Sequence, residues 1–139
     1  MTPQDGHRFV VRRSSQCSAA EVFTALKQPG VSAPGAPAAR EGFTPGIMLS
    51  GNNPISQYVN SSTRTIMNTT LPTHSFYPGT VAITVTQNGT GSIIQIVGTG
   101  SGDHPGLNNA VGRLFFGQSA RVAAEACGSD TYYQPPRGG

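Results

Sequence analysis

The chain has 139 residues, which is the size of one ordinary domain and too short for two full ones. Charged residues make up 11% of it, less than half of the roughly 25% usual for soluble proteins, and its 18 glycines and 11 prolines show no collagen-like period. The net charge of +3 comes from scattered arginines, so we expect no nucleic-acid partner.

The first third of the chain predicts a strand, a short helix and a long loop. Residues 7–13 carry β-formers flanked by polar residues, which is typical of a strand. Ser18 and Glu21 form a capping-box pattern before a short apolar stripe, which predicts a helix of about ten residues ending at Pro29. The prolines and glycines of residues 31–46 predict a loop, with one helical turn around 38–41.

The second part of the chain predicts five strands and one long helix. Alternation of apolar and polar residues and a strong hairpin signal at Asn88-Gly89 place these strands at 47–49, 55–60, 64–71, 80–87 and 92–99. From Leu107 the apolar residues recur every three or four positions over about 20 residues, which predicts a helix capped by Gly128. Gly112 and Gly117 in that helix indicate close packing against a sheet. We expect a single domain with its core at about 7–127 and a disordered tail at 129–139.

The two cysteines and the N-terminal residues predict a cellular location. Cys17 and Cys127 lie far apart and belong to no CxxC or Cys/His cluster. The N-terminal residues contain no apolar signal region, and no run of 18 apolar residues exists that would span a membrane. We therefore expect a cytoplasmic protein with free thiols.

Three local patterns, together with the order of the elements, carry a family resemblance. They are residues 18–23, residues 71–81 and the glycine-rich residues 98–102 before the last helix. In these features the chain resembles the START-like helix-grip superfamily, which includes plant pollen-allergen-like proteins and bacterial polyketide cyclase/dehydrase-like proteins. The resemblance implies an α+β fold in which a curved antiparallel sheet wraps around the long C-terminal helix, with one short helix after the first strand.

The resemblance also implies a ligand site. A cavity between the sheet and the long helix would hold a small, mostly apolar molecule such as a polyketide, an isoprenoid or a lipid. We expect the ligand to contact residues from three strands or loops and from the helix. These residues are Tyr58, Asn68, Phe76, Leu114 and Phe115.

The candidate catalytic residues are His74 and Tyr77, which lie together in the loop before residue 80. An imidazole at His74 would act as a general base or as a polar anchor in a pocket, and the alternative is an exposed or backbone-bonded loop histidine. His104 has an acidic neighbour in Asp103, but a solvated loop explains it as well. Three histidines separated by tens of residues do not predict a metal site, and residues 98–102 lack the spacing of a phosphate loop. We expect no cofactor.

Three functions remain open at this point. The sparse set of acids and bases favours a binding module for a small apolar ligand. The loop with His74 and Tyr77 favours a cofactor-independent cyclase, dehydratase or isomerase acting in the same cavity. Low charge and the many Ser, Thr and Gly residues also suit a structural or assembly subunit. We expect a small apolar partner and no membrane span, with the oligomeric state open and a dimer possible.

Overall fold

The computed structural model describes residues 7–100 and 105–127, with side chains described over 8–100 and 111–127. The predictions for His104, for the cap at Gly128 and for the tail at 129–139 lie outside these residues. The elements, in chain order, are β1 (His7–Ser15), α1 (Ala19–Leu26), β2 (Gly42–Leu49), β3 (Asn53–Asn60), β4 (Thr65–Thr70), β5 (Gly79–Asn88), β6 (Gly91–Gly100) and α2 (Pro105–Ala124).

The predicted α+β class and order of elements are confirmed. Six strands form one curved antiparallel sheet in the order β1-β6-β5-β4-β3-β2, so consecutive strands from β2 to β6 are hairpin neighbours and β1 joins the sheet beside β6. Helix α2 packs on the inner face of the sheet, against β1 and β6, and α1 packs beside it. Residues 27–41 run between α1 and β2 without a regular element.

The long loop differs from its prediction in two ways. The helical turn expected around residues 38–41 is wrong, since the chain is irregular there. Strand β2 begins at Gly42, inside the predicted loop, because a bulge between Thr44 and Ile47 takes up Pro45 and Gly46 and lets pairing with β3 continue on both sides.

The core is formed by the apolar residues that alternate with polar ones along the strands. Isoleucines of the inner sheet face are fully buried against α1 and α2, among them Ile66, Ile83, Ile94 and Ile96. A second, smaller cluster joins Ala33 and Ala36 of the irregular segment to the inner residues of β2 and β3. The segment is therefore packed onto the sheet although it has no regular structure.

The predicted capping box of α1 is confirmed. The Ser18 hydroxyl accepts from the amide of Glu21 at 3.2 Å, and the Glu21 carboxylate accepts from the amide of Ser18 at 3.0 Å. Two backbone donors that the helix cannot satisfy are thus paired, so the first turn begins at a defined residue.

The expectation of free thiols is wrong, because Cys17 and Cys127 form a disulfide with their Cα atoms 5.6 Å apart. The bond joins the chain just before α1 to the residues just after α2. Its partners are 110 positions apart, so no local spacing could reveal the pairing. It holds the last helix against the first strand and helix.

Reduction of this disulfide is expected to lower the melting temperature and the free energy of unfolding. In the chain-entropy description, a cross-link that closes a loop of about 100 residues lowers the entropy of the unfolded chain and thereby stabilises the folded state by about 4–5 kcal/mol. Measured disulfides typically contribute about 2–4 kcal/mol. Melting curves with and without a thiol reductant measure the effect, and the double variant Cys17→Ala/Cys127→Ala should be insensitive to the reductant. Two titratable thiols in the folded, unreduced protein would contradict the pairing.

Candidate functional site

A cavity of about 300 Å³ lies between the inner face of the sheet and α2. Its wall is mostly apolar, with aromatic side chains contributed by β1, by the loop after β4 and by α2. None of the acidic, lysine or arginine side chains in the described ranges lines it. The volume is at the lower end of the range of about 300–1,000 Å³ for small-molecule pockets. A cavity of this character suits a small, uncharged molecule.

The exposed members of the lining mark where the cavity opens. Pro34 lies in the irregular segment, Ser50 in the turn before β3, Ser75 in the loop after β4 and Val111 on α2. These residues lie at one end of the sheet and on the adjoining part of α2. A molecule entering the cavity here would pass two polar turns before it reached the apolar wall.

Phe9 sets the separation of helix and sheet beside the cavity. Its ring lies between Gly98, its partner across the β1–β6 ladder, and Gly112 of α2, and it stacks on Phe116 with the ring centroids 5.9 Å apart. A Cβ atom at either glycine would overlap the Phe9 ring. The close packing predicted for Gly112 is confirmed, whereas that for Gly117 is wrong, since a Cβ at Gly117 would meet no atom within 4 Å.

His74 lines the cavity from a loop whose shape is fixed by hydrogen bonds. The amide of His74 donates to the carbonyl of Leu71 at 3.0 Å, and the amide of Tyr77 donates to the carbonyl of His74 at 3.1 Å. Asn53 joins the loop to the turn before β3, because its Oδ1 accepts from both the amide and the hydroxyl of Ser75, at 2.8 and 3.1 Å. The loop and the turn therefore form one rim.

The hydrogen bond from Phe76 decides what the imidazole can do. Nδ1 of His74 accepts from the amide of Phe76 at 2.9 Å, so in the neutral ring the proton is on Nε2. Partial burial lowers the pKa of His74 below its usual value of 6.5, so the ring is neutral at pH 7. In this state His74 presents an N–H donor, and acting as a base would require the Phe76 bond to break.

A buried group of three polar residues lies at the cavity wall. Nε2 of Gln57 donates to Oδ1 of Asn68 at 2.8 Å and to the hydroxyl of Ser32 at 3.0 Å, and Nδ2 of Asn68 donates to the carbonyl of Ser32 at 2.8 Å. These residues are at most 5% exposed, and Asn68 lines the cavity. The group fastens the irregular segment to the sheet. Gln57 was not predicted, although its place between Ile55 and Val59 on the inner face of β3 was a readable signal.

The other predicted site residues divide into two sets. Phe76 and Phe115 line the cavity, as His74 and Asn68 do. Tyr58, Tyr77 and Leu114 are outside the lining and are 45%, 46% and 77% exposed. Tyr58 lies on the outer face because its neighbours Gln57 and Val59 face inward. The structure therefore does not bring His74 and Tyr77 together at the cavity.

Two absences hold for the parts of the chain that the structure describes. No group of three or more His, Cys, Asp or Glu side chains there is arranged to hold a metal ion. No described helix combines the length and the apolar character needed to cross a membrane.

Replacing the two glycines of α2 is expected to have opposite effects. Gly112→Ala should lower the free energy of unfolding by about 1–3 kcal/mol, because the new methyl group overlaps the Phe9 ring. Gly117→Ala, which meets open space, should raise it by about 0.5–1 kcal/mol through helix propensity. Urea unfolding of both variants measures the difference. Equal stability of the two variants would contradict the role given to Phe9.

Acidification is expected to weaken folding through His74. The pKa of His74 is lowered in the folded chain, so the unfolded state takes up its proton first as the pH falls. Stability from this group is therefore complete well above pH 6.5 and decreases as the pH falls from there through the folded-state pKa. Unfolding free energies across this range should show a smaller slope in His74→Asn than in the wild type. An unchanged slope would contradict the assignment.

Comparison with known proteins identifies the architecture. No protein-family model and no curated protein matches the chain. The solved structure of XoxI from Bacillus cereus matches over 86% of this chain and 94% of its own, with 11% identity and a TM-score of 0.63. The Zhui aromatase/cyclase from Streptomyces sp. R1128 matches over 96% and 99%, with 10% identity and a TM-score of 0.59.

A third solved structure extends the likeness beyond these two. Ara h 8.0201 matches over 88% of this chain and 99% of its own, with 13% identity and a TM-score of 0.56. At such identities the likeness concerns the fold, and function has to be argued from the site. The resemblance drawn from the sequence is confirmed for the fold: the chain has the helix-grip architecture of these solved structures.

Proposed function

We propose that the protein binds a small, neutral, mostly apolar molecule in the cavity and holds it by hydrogen bonds that the protein donates. The observation that carries the proposal is the division of polar atoms around the cavity. The side-chain amide oxygens and the imidazole Nδ1 that line it each accept a hydrogen bond within the protein, while N–H donors remain for a ligand.

The amide and imidazole acceptors each have a partner in the protein. Oδ1 of Asn68 accepts from Gln57, and Oδ1 of Asn53 accepts twice from Ser75. Nδ1 of His74 accepts from the amide of Phe76. A ligand that offers hydroxyl or amine donors would have to compete with these bonds.

Among the described lining residues, two N–H donors of the cavity wall have capacity left, in addition to Nδ2 of Asn53 at the rim, which uses one hydrogen toward the carbonyl of Ser50. Nε2–H of His74 has no acceptor there, and Nδ2 of Asn68 uses one of its two hydrogens, toward Ser32. Because Asn68 is 5% exposed, its second hydrogen has little access to water. A ligand oxygen would satisfy both groups, so the cavity favours a molecule that carries carbonyl or ether oxygens on an apolar frame.

The absence of charged side chains in the described lining supports a neutral ligand. An ionised carboxylate or amine placed there would lose its hydration without gaining an ion pair, which is costly. Among the ligand classes predicted from the sequence, polyketides and oxygenated isoprenoids fit better than hydrocarbon chains. One solved structure of the same fold is named an aromatase/cyclase, which further supports a polyketide-type ligand.

Catalysis of a cyclisation, dehydration or isomerisation is the second candidate. It is favoured by Nε2–H of His74, because an N–H donor beside a carbonyl also stabilises the negative charge that develops on an enolate oxygen. The step also needs a base, and His74 has its lone pair bound to Phe76. Binding without turnover is therefore the primary proposal.

The cellular location predicted from the sequence stays a prediction. A cytoplasmic protein seldom keeps a disulfide, since the cytosol maintains thiols in the reduced state. The bond between Cys17 and Cys127 therefore counts against a cytoplasmic location and in favour of an oxidising compartment.

Native mass spectrometry with a mixed panel of neutral polyketides, isoprenoids and lipids tests the primary proposal. We expect carbonyl-bearing compounds to bind and their hydrocarbon counterparts to bind more weakly. Recovery of the bound compound unchanged, verified by chromatography, supports binding. A product of altered structure supports the catalytic candidate, and failure of every compound to bind contradicts both.

The variant His74→Asn is expected to weaken carbonyl ligands about tenfold, the effect of one lost hydrogen bond. An asparagine oxygen can still accept from the amide of Phe76, so the loop is kept while the Nε2–H donor is lost. Gln118→Asn serves as the control, because Gln118 is exposed on α2 and does not line the cavity. This variant should bind the ligand like the wild type. Titration by isothermal calorimetry at neutral pH measures the difference, and equal affinities of His74→Asn and the control would exclude His74 as an anchor.

A further inference from the structure

The outer face of the sheet carries a continuous row of apolar side chains, one from every strand. The register pairs each member directly with the next one across all five ladders. In sheet order the outer row is Phe43, Tyr58, Met67, Ala82, Val97 and Val10. Phe43, Tyr58 and Val10 are 65%, 45% and 38% exposed, so the outer row faces solvent.

The outer row is bounded by polar rows on both sides. One flank consists of Ser56, Thr69, Thr80, Thr99 and Arg8. The other consists of Asn60, Thr65, Thr84, Gln95 and Arg12. Single exposed apolar residues are ordinary, but six in register form a stripe about 24 Å long with a polar rim, which is the anatomy of an interface.

Both edges of the sheet are protected against strand pairing. The edge strand β1 carries Arg8, Arg12 and Arg13, all of them exposed. The edge strand β2 is interrupted by its bulge, where Pro45 lacks an amide hydrogen. Association through an edge is therefore disfavoured, and the outer face is the part of the described sheet that remains open to a partner.

We propose that the outer row is the contact surface of a dimer formed by two copies of this chain. The two-fold axis lies in the interface, parallel to the strands, and passes between Met67 and Ala82 at the centre of the row. Such an axis reverses the row, so Tyr58 of one copy lies opposite Val97 of the other. Phe43 in turn lies opposite Val10 of the second copy.

The charges at the two ends of the outer face select this axis. Glu41 precedes β2 and lies beside the Phe43 end, while Arg12 lies on the same flank at the Val10 end. An axis parallel to the strands places Glu41 of one copy over Arg12 of the other, twice. An axis parallel to the row would instead place Arg8 over Arg12 of the second copy, which repel each other.

The size of the surface indicates a weak, reversible dimer. The outer row and its two flanks cover on the order of 500 Å² per copy, which puts the total near the lower limit of specific interfaces. The curvature of the sheet confines contact to this strip, since two convex faces separate beyond it. We therefore expect dissociation in the micromolar range.

Sedimentation velocity over a range of protein concentrations tests the proposal. The wild type should shift from monomer to dimer as the concentration rises. Tyr58→Lys and Val97→Glu should each weaken self-association by about tenfold or more, because each places a charge against an apolar residue. An equimolar mixture of the two variants should recover the dimer, since the new lysine of one copy faces the new glutamate of the other.

The control for general stickiness is Leu114→Lys on α2. Leu114 is the most exposed large apolar residue in the described chain, at 77%, and it lies outside the sheet, so this variant should associate like the wild type. Circular dichroism and melting curves verify that each variant folds. A variant that does not fold is replaced by Tyr58→Thr, because threonine is favoured in strands.

Three results would overturn the proposed dimer. They are a wild type that stays monomeric at every concentration, single variants that associate like the wild type, and a mixture of the two charge variants that stays monomeric. Ligand binding does not enter any of these measurements, so their outcome is independent of the proposed function.

Discussion

The packing of Phe9 between two glycines is the contact on which the rest of the architecture depends. The ring spans the layer between β6 and α2 at a point where neither backbone carries a side chain. Helix and sheet approach closely at the ring, and Phe116 closes the layer by stacking on it. Because close-packed interiors tolerate few voids, an open cavity beside such a contact has to be supported by other parts of the fold.

That support comes from the irregular segment between α1 and β2. Ala33 packs on the inner residues of β2 and β3, and Ser32 is bound through both its hydroxyl and its carbonyl by buried amides of the sheet. An apolar side chain at Gln57 or Asn68 would have filled the same inner row without holding the segment in place. Buried amides are costly unless they are paired, and here the pairing fixes a wall of the cavity while one N–H of the lining residue Asn68 has no partner among the described residues.

The sequence predicted those elements that depend on the spacing of apolar residues and on local capping interactions. Alternation in β5, the capping box at Ser18 and the change of period at Leu107 each identified an element, and their order implied the fold. Long-range pairings were not predictable from spacing. The disulfide and the bond between Gln57 and Ser32 join positions 110 and 25 residues apart, and their effects appear once the chain is folded.

Tyr58 illustrates why some of the predicted site residues lie outside the cavity. The same alternation that predicted β3 assigns Ile55, Gln57 and Val59 to one face, and it leaves Tyr58 on the other. Tyr58 was assigned to the cavity because it is aromatic, and the alternation of side chains between the two faces of the strand was not applied to it. The alternation decides where Tyr58 lies, because a shift of the strand by one residue would expose all of its inward-facing side chains.

The outer row could not be predicted by analysing the strands one at a time. Each strand contributes one residue to this row, and an exposed apolar residue on a single strand needs no explanation in isolation. Only the register between strands brings the six residues into one line, and that register is set by burial on the opposite face. The constraint that fills the core with isoleucine therefore also decides which residues meet on the outside. The proposed ligand site and the proposed dimer contact therefore lie on the two faces of one sheet, and the same hydrogen-bond ladders align both.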